Sequence, residues 1–310
     1  MLTNNKVKDQ TSYKTGGKWA DSIIRIREFL LSRFTGVGES NVLNLSSNTT
    51  IPRGGIDLAS ELKQSLDEIK LAAIDENGYK VDYSGLIGGK AYQEYRSQCS
   101  PLLQMFDPMS LDTVDKQLSF WINLYNVLMI DAVIAFGTQQ SVTEGKLGII
   151  TFFRRAAYNV SGLRVSCEDI EHGILRGNRG NPYLPGRHFL SGDPHADWVV
   201  KPPDVRVHFA LNCASRSCPP VQFYSADCLG LQLDQAAENF VNENVEIDKQ
   251  QNALSTSEIF RWFEGDFGGR HGVIKFLSNY LPDDYRKKWI DENKKSIRMN
   301  YVKYDWGLNA

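Results

Sequence analysis

The sequence predicts an α+β fold, a helix-rich body around one central buried helix with a small, mostly antiparallel sheet. Three observations carry this. Leu118 to Phe136 is apolar nearly all the way round, the pattern of a helix enclosed on every side. Amphipathic spacing recurs elsewhere, as at Leu229, Leu233, Ala236, Ala237 and Phe240. Short extended runs broken by turn residues supply only a few strands.

In chain order, residues 1–54 read as an N-terminal extension. It has a polar, loosely attached start, an amphipathic helix over Trp19–Phe34 and a Gly/Ser/Asn/Thr-rich linker from Gly36. The helix would pack on the main domain, or else meet a membrane surface or partner. Residues 55–310 read as a single domain. It opens with a helix from Leu58 to Ile74, which stops before the turn Asp75-Glu76-Asn77-Gly78. Tyr79 to Tyr83 is a short extended piece, and a helix follows around Lys90–Cys99. After the central helix, Gly145 to Val165 predicts a turn and short strands, with a hairpin across Ser161-Gly162. Ser166 caps a helix running to about Arg176, and Gly177–Pro203 is a long loop. Val205 to Leu211 predicts a strand, and Ser225 caps the next helix. Strands lie around Asp248-Lys249, and helices open at Ser257, Val273 and Asp283.

Composition sets outer limits. The 310 residues are 42% hydrophobic and 23% charged, with a net charge of −2. This is the profile of a globular domain, with no basic excess to draw nucleic acid or an anionic membrane. The longest apolar stretch is interrupted by Asn123, Asn126 and Asp131, so no transmembrane segment is expected. The first residues are polar and lack the apolar run of a secretory signal. With an odd cysteine count (Cys99, Cys167, Cys213, Cys218 and Cys228), this suggests reduced thiols and a cytoplasmic location.

Reactive side chains gather most densely in Val207-His208-Phe209-Ala210-Leu211-Asn212-Cys213-Ala214-Ser215-Arg216-Ser217-Cys218-Pro219-Pro220. A histidine beside a cysteine loop offers a thiol nucleophile and its base. Prolines after Cys218 suit a helix start, whose free N–H groups would lower the thiol pKa. Ordinary buried cysteines with a hydrogen-bonded histidine are the plainer reading. Zinc ligation by Cys213, Cys218 and His208, or a Cys213–Cys218 redox disulfide, are two others. Asn123 and Asn126, three apart on one helix face, either pin loop backbone or orient a histidine and bind a substrate carbonyl. Glu171, His172 and Arg176 form either a solvated charged face or a hydrogen-bond network in which a carboxylate tunes an imidazole. The aromatic C-terminal segment reads as a strand or tail docked on the core, from which Asp305 and Asn309 could supply a third, orienting group. His188, His195 and His271 receive no role.

Four motifs occur in order: Phe120-Trp121-Ile122-Asn123-Leu124-Tyr125-Asn126, Asp169-Ile170-Glu171-His172-Gly173-Ile174-Leu175-Arg176, the His208–Pro220 run, and Tyr304-Asp305-Trp306-Gly307-Leu308-Asn309. Together they resemble the domain of unknown function 547 family over roughly residues 55 to 310, and Val81-Asp82-Tyr83 and Asp193-Pro194 fit the same pattern. The resemblance implies a module found in bacteria, plants, algae and protists, sometimes joined to leucine-zipper, glutaredoxin or DEP segments. It implies regulatory or redox settings without naming a reaction. His195 stands where the pattern leads one to expect Arg, which removes an anion contact there.

The sharper functional expectation is a thiol-dependent hydrolase or transferase acting on an amide or ester, without a cofactor or metal. Cys218 or Cys213 would be the nucleophile, His208 the base, and Asn126 or Glu171 the orienter. Asn123, His172, Arg216 and Ser217 would contact substrate, the last two through an anionic group. The alternative is a non-catalytic module with a structural polar core, binding a protein partner or small molecule. A helix against a histidine-bearing sheet has a loose likeness to papain-like and transglutaminase-like enzymes. Those place the cysteine before the histidine, the reverse of the order here.

Overall fold

The protein, in a computed structural model that describes residues 13–45, 57–145 and 147–310, winds around one helix. The start of the N-terminal extension and residues 46–54 of the expected linker lie outside the described residues. Helices α1 (Tyr13–Thr35), α2 (Leu58–Ala73), α3 (Tyr83–Gly88) and α4 (Lys90–Glu94) lead to the central α5 (Val114–Phe136). Helix α6 (Gly148–Arg155) precedes a hairpin of β1 (Ala157–Val160) and β2 (Leu163–Ser166). The second half holds α7 (Leu229–Asn244), β3 (Glu246–Asp248), β4 (Ala253–Ser257), α8 (Ile259–Trp262), α9 (Arg270–Tyr280), α10 (Tyr285–Asn293) and β5 (Arg298–Val302).

Helix α5 begins where the Thr113 hydroxyl accepts the Lys116 N–H and ends at Gly137, whose φ of 67° suits a residue without Cβ. Every residue from Leu118 to Val133 is buried. The helix is long and apolar enough to cross a bilayer, yet it is enclosed by the body. The one carboxylate of that buried stretch, Asp131, is fully buried and accepts from Arg96 Nη1 (2.6 Å), Tyr92 OH (2.6 Å) and Tyr158 OH (2.7 Å). Those bonds tie α4, the π-helical turn that follows it, and β1 to the central helix.

The β1–β2 hairpin pairs Tyr158 with Val165 and turns through Ser161 and Gly162, both at positive φ, which matches the strand twist. In the second sheet β3 and β4 are antiparallel, and β5 returns parallel to β4 after α8, α9 and α10. The architecture is therefore the expected α+β, with mostly antiparallel pairing. Two hydrophobic clusters fill it, one around α5 and one between α7 and β5. Cys213 and Trp306 pack partly against both, so the cysteine loop lies on the seam.

Four expectations are corrected. Val205 to Phe209 is a short 3₁₀ helix, so His208 is not carried on a sheet. Asp204 caps it by accepting the Arg206 N–H, a start signal that outweighs the alternating apolar residues of so short a run. The segment before the hairpin is helix α6 rather than strand. Cys218-Pro219-Pro220 opens no helix; the next helical residues are Ala226–Cys228. Ser225 stands at the cap position of that turn, but its side chain makes no capping bond.

Helix α1 docks by polar contacts. Arg27 donates to the carbonyls of Pro185, Arg187 and His188, Glu28 pairs with Arg154, and Asp21 pairs with Arg187. Ile24 is buried beneath it, while Ile23, Ile26, Phe29, Leu30 and Phe34 remain exposed. The described part of the linker is pinned as well, since the Asn44 amide donates to the Ser100 and Asn159 carbonyls.

Candidate thiol site

The cysteine loop is held by amides of the central helix. Asn123 donates to the Tyr224 carbonyl (2.8 Å) and accepts the Tyr224 N–H (2.7 Å). Asn126, one turn later, donates to the Ala210 (2.9 Å) and Gln222 (3.0 Å) carbonyls and accepts the Asn212 N–H (2.9 Å). Both buried amides are thus spent on backbone. Asn212 continues the clamp, donating to the Pro219 carbonyl and accepting the Ala214 N–H. Behind the loop, Gly78 at φ 80° lies where a Cβ would come within 2.9 Å of Pro220, so the close approach requires glycine.

The C-terminal segment is stitched onto the same loop. Arg216 N–H donates to the Gly307 carbonyl, Asn309 N–H to the Ala214 carbonyl, and Asp305 N–H to the Ser217 hydroxyl. This brings Tyr304 to the sulfurs. Cys213 Sγ and Cys218 Sγ stand 2.6 Å apart, and the Tyr304 hydroxyl is 3.1 Å from Cys218 and 3.3 Å from Cys213. Ser215 donates to the Tyr304 hydroxyl (3.1 Å), which frees the phenolic proton for sulfur. The Cys213 N–H also points at Cys218 Sγ (3.0 Å).

Burial pushes the Cys218 thiol up, but the bonds from Cys213, Ser215 and Tyr304 outweigh it and bring the pKa down to about 7. Cys213, buried beside that sulfur, is pushed well above the ordinary thiol value. Cys218 is therefore the more readily ionised of the two thiols.

Both sulfurs line a cavity of about 430 Å³. Its walls are mainly apolar and aromatic, including Ile149, Phe153, Trp262, Phe263 and Trp306. Glu171, His172 and His208 face the same space. Burial raises the Glu171 carboxyl to about 7, against the opposing effects of Arg176 and of a 3.0 Å bond from the Tyr125 hydroxyl. His172 is held neutral by burial and by Arg176, whose Nη1 lies 3.0 Å from its Nδ1. His208 is likewise lowered by burial, against a 2.9 Å bond between its Nε2 and Asp266 Oδ2. Asp266 also takes Arg176 Nε and Arg179 Nη1. Burial alone would raise its carboxyl; the bonds from His208 and Arg176 instead keep it far below the usual carboxylate range. The His208 ring stacks on Phe263 at 4.1 Å.

Of the sequence-derived candidates, the cavity thus brings together His208, Cys213, Cys218, Glu171 and His172. Asn123 and Asn126 lie behind the loop. Arg216 is mostly exposed beside Asp305, and Ser217 caps the C-terminal segment; neither lines the cavity. Asp266 and Tyr304 were missed. Tyr304 was hidden among aromatics that looked like a docked tail, although Asp305 and Asn309 beside it drew notice. Asp266 lies in Glu264-Gly265-Asp266-Phe267, which carries no local sign of reaching a histidine 58 residues away. Among the described residues no three His, Cys, Asp or Glu side chains converge as a metal ion would require.

Residues 108–241 match the family described as "Protein of unknown function, DUF547". Over that stretch the chain is similar to the DUF547 family. The match spans α5, the Glu171–Arg176 turn and the cysteine loop, while Asp266 and Tyr304 fall beyond it. Neither the curated proteins nor the solved structures yield a match to this chain.

Proposed function

We propose that the site is a thiol-dependent acyl-transfer centre, acting on an amide or ester as a hydrolase or transferase, with Cys218 as nucleophile. The observation that carries this reading is the set of groups gathered on Cys218 Sγ, namely the Tyr304 hydroxyl, the Cys213 N–H and Cys213 Sγ, beside an apolar cavity. Donors of this kind hold a thiolate, the reactive form.

The Cys218 thiolate would attack the acyl carbonyl, forming a thioester and expelling an amine or alkoxide. Glu171, raised toward neutrality, is suited to protonate that leaving group. Water or a second acceptor then attacks the thioester, gives up its proton, and releases the acyl product with the thiolate restored. Neutral His208 would take that proton. Its Nε2–H is held by Asp266, and its Nδ1 has no hydrogen-bond partner among the described residues. In this reading Asp266 is the orienting group. Asn126 serves as a positioning residue for the loop. The apolar walls favour an uncharged acyl group.

The test uses p-nitrophenyl esters of short and medium fatty acids, with intact-mass detection of the acyl-enzyme. A burst of nitrophenol with one acyl group on Cys218, absent in Cys218→Ala, is expected. No adduct on the reduced protein with any ester, while Cys218 still alkylates fast at pH 7, would leave a binding module with a reactive thiol and end the catalytic reading.

A further inference from the structure

The sulfur–sulfur contact has a consequence of its own. Two thiols 2.6 Å apart are nearer than non-bonded sulfurs rest, yet longer than the bond of about 2.05 Å in a disulfide. The loop between them is tightly turned. Ala214 adopts a left-handed φ of 62°, and the Cys218 N–H donates to the Ser215 carbonyl at 3.1 Å. Asn126, Asn212 and the C-terminal segment hold both flanks, so the two Cβ groups cannot drift apart without breaking that clamp.

We infer that Cys213 and Cys218 are a redox pair, closed to a disulfide by exchange with a small soluble disulfide and reopened by small thiols. Cys218 is the attacking sulfur because it collects the donors, and Cys213 is the resolving one. The Cys218 thiolate attacks a disulfide R–S–S–R, forming Cys218–S–S–R and releasing R–S⁻. Cys213 passes its proton to R–S⁻ and attacks the Cys218 sulfur, expelling a second R–S⁻. Two electrons move from the protein thiols to the small disulfide, which leaves as two thiols. Closure consumes the sulfur assigned above as nucleophile, so the oxidised protein would be inactive in acyl transfer. The inference rests on the geometry of the pair and not on acyl chemistry.

The other thiols serve as internal controls. Cys99 and Cys167 are buried, and burial pushes both thiols up; Cys228 is exposed. Trypsin cuts after Arg206 and Arg216, placing Cys213 in peptide 207–216 and Cys218 together with Cys228 in peptide 217–249, so a disulfide joins two separable peptides and fragment ions assign it to Cys218 or Cys228. The full chain would be equilibrated in buffers of oxidised and reduced glutathione, quenched with acid, alkylated with N-ethylmaleimide and mapped by mass spectrometry.

The expected result is the joined 207–216/217–249 pair at a fraction that follows the glutathione ratio and reverses with excess reduced glutathione. In Cys213→Ser, Cys218 should instead accumulate as the glutathione mixed disulfide. Both peptides remaining maleimide-labelled in buffers that glutathionylate Cys228 would overturn the inference. So would a stable mixed disulfide on Cys218 in the unsubstituted chain. Neither result bears on the ester assay, which is run on the reduced protein. Conversely, a reversible disulfide without any acyl adduct would keep the redox pair and remove only the acyl-transfer reading.

Discussion

The Tyr304 hydroxyl lies 3.1 Å from Cys218 Sγ and 3.1 Å from the Ser215 hydroxyl that donates to it, so a residue near the C-terminus completes the environment of a thiol in the middle of the chain. The phenol's own proton is firmly held, since burial and the two sulfurs push its pKa well above the ordinary value. It therefore acts as a donor. Tyr304→Phe removes that donor and little volume. The expected effect is a Cys218 pKa raised by roughly one unit, equivalent to about 1.4 kcal/mol. Iodoacetamide labelling at pH 6.5 should slow several-fold and recover above pH 9. A pH–rate profile that does not move would assign the lowered pKa to Cys213 and Ser215.

Asn126 ties the central helix to the cysteine loop at three points. Its three bonds join α5 to Ala210, Asn212 and Gln222. Asn126→Ala leaves two buried carbonyls and one N–H without partners, at about 1–3 kcal/mol for each group that water cannot reach. A loss of roughly 3 kcal/mol in urea unfolding is expected, with faster labelling of Cys213 as the loop loosens. Unchanged stability with unchanged labelling would mean that the C-terminal segment alone holds the loop.

The legibility of this arrangement in the sequence follows from the range of the forces involved. Periodicity revealed α5, the hairpin at Ser161-Gly162 and α7, because burial of a face is written every second or every third to fourth residue. The density of reactive residues marked the loop from His208 to Cys218. The apolar run around His208 was misleading, because alternation over so few residues is a weak signal, and its Asp204 cap was the better one. The partners of the site were not legible. Asp266 meets His208, and Tyr304 meets Cys218, only through tertiary packing of the α7–β5 half onto the α5 half. The spacing of Asn123 and Asn126 did signal a shared polar face, but not that the face would be spent on backbone.

Asp131 tests the same tertiary logic away from the cavity. It is fully buried and holds Arg96, Tyr92 and Tyr158 together. Asp131→Ala leaves a guanidinium and two phenols around an empty site. Removing one partner of a buried pair costs about 3–5 kcal/mol, and the partial exposure of Arg96 places this case at the low end. A drop of about 3 kcal/mol is expected in chemical unfolding, with the iodoacetamide profile of Cys218 unchanged in the folded fraction. A loss below about 1 kcal/mol would mean that water takes over the three donors.

Glu171 gives a prediction whose sign separates a site residue from a stabilising one. Burial raises its carboxyl from the ordinary 4.5 to about 7, so the folded chain holds this proton more tightly than the unfolded chain does. Between those two values the unfolded carboxyl is ionised while the folded one is still protonated. Stability must therefore fall as pH rises through this window, by about 1.4 kcal/mol per unit, reaching on the order of 3 kcal/mol near neutrality. Glu171→Gln keeps an acceptor for the Tyr125 hydroxyl and has no proton to lose. The variant should match the parent near pH 4.5 and exceed it by up to about 3 kcal/mol at pH 8 in urea unfolding. A residue that costs stability at working pH while facing a cavity is better explained by what it does there than by what it holds together. If the two stability curves run parallel from pH 4.5 to 8, the carboxyl ionises as freely in the folded chain as in the unfolded one. The proton-donor role assigned to Glu171 then loses its basis.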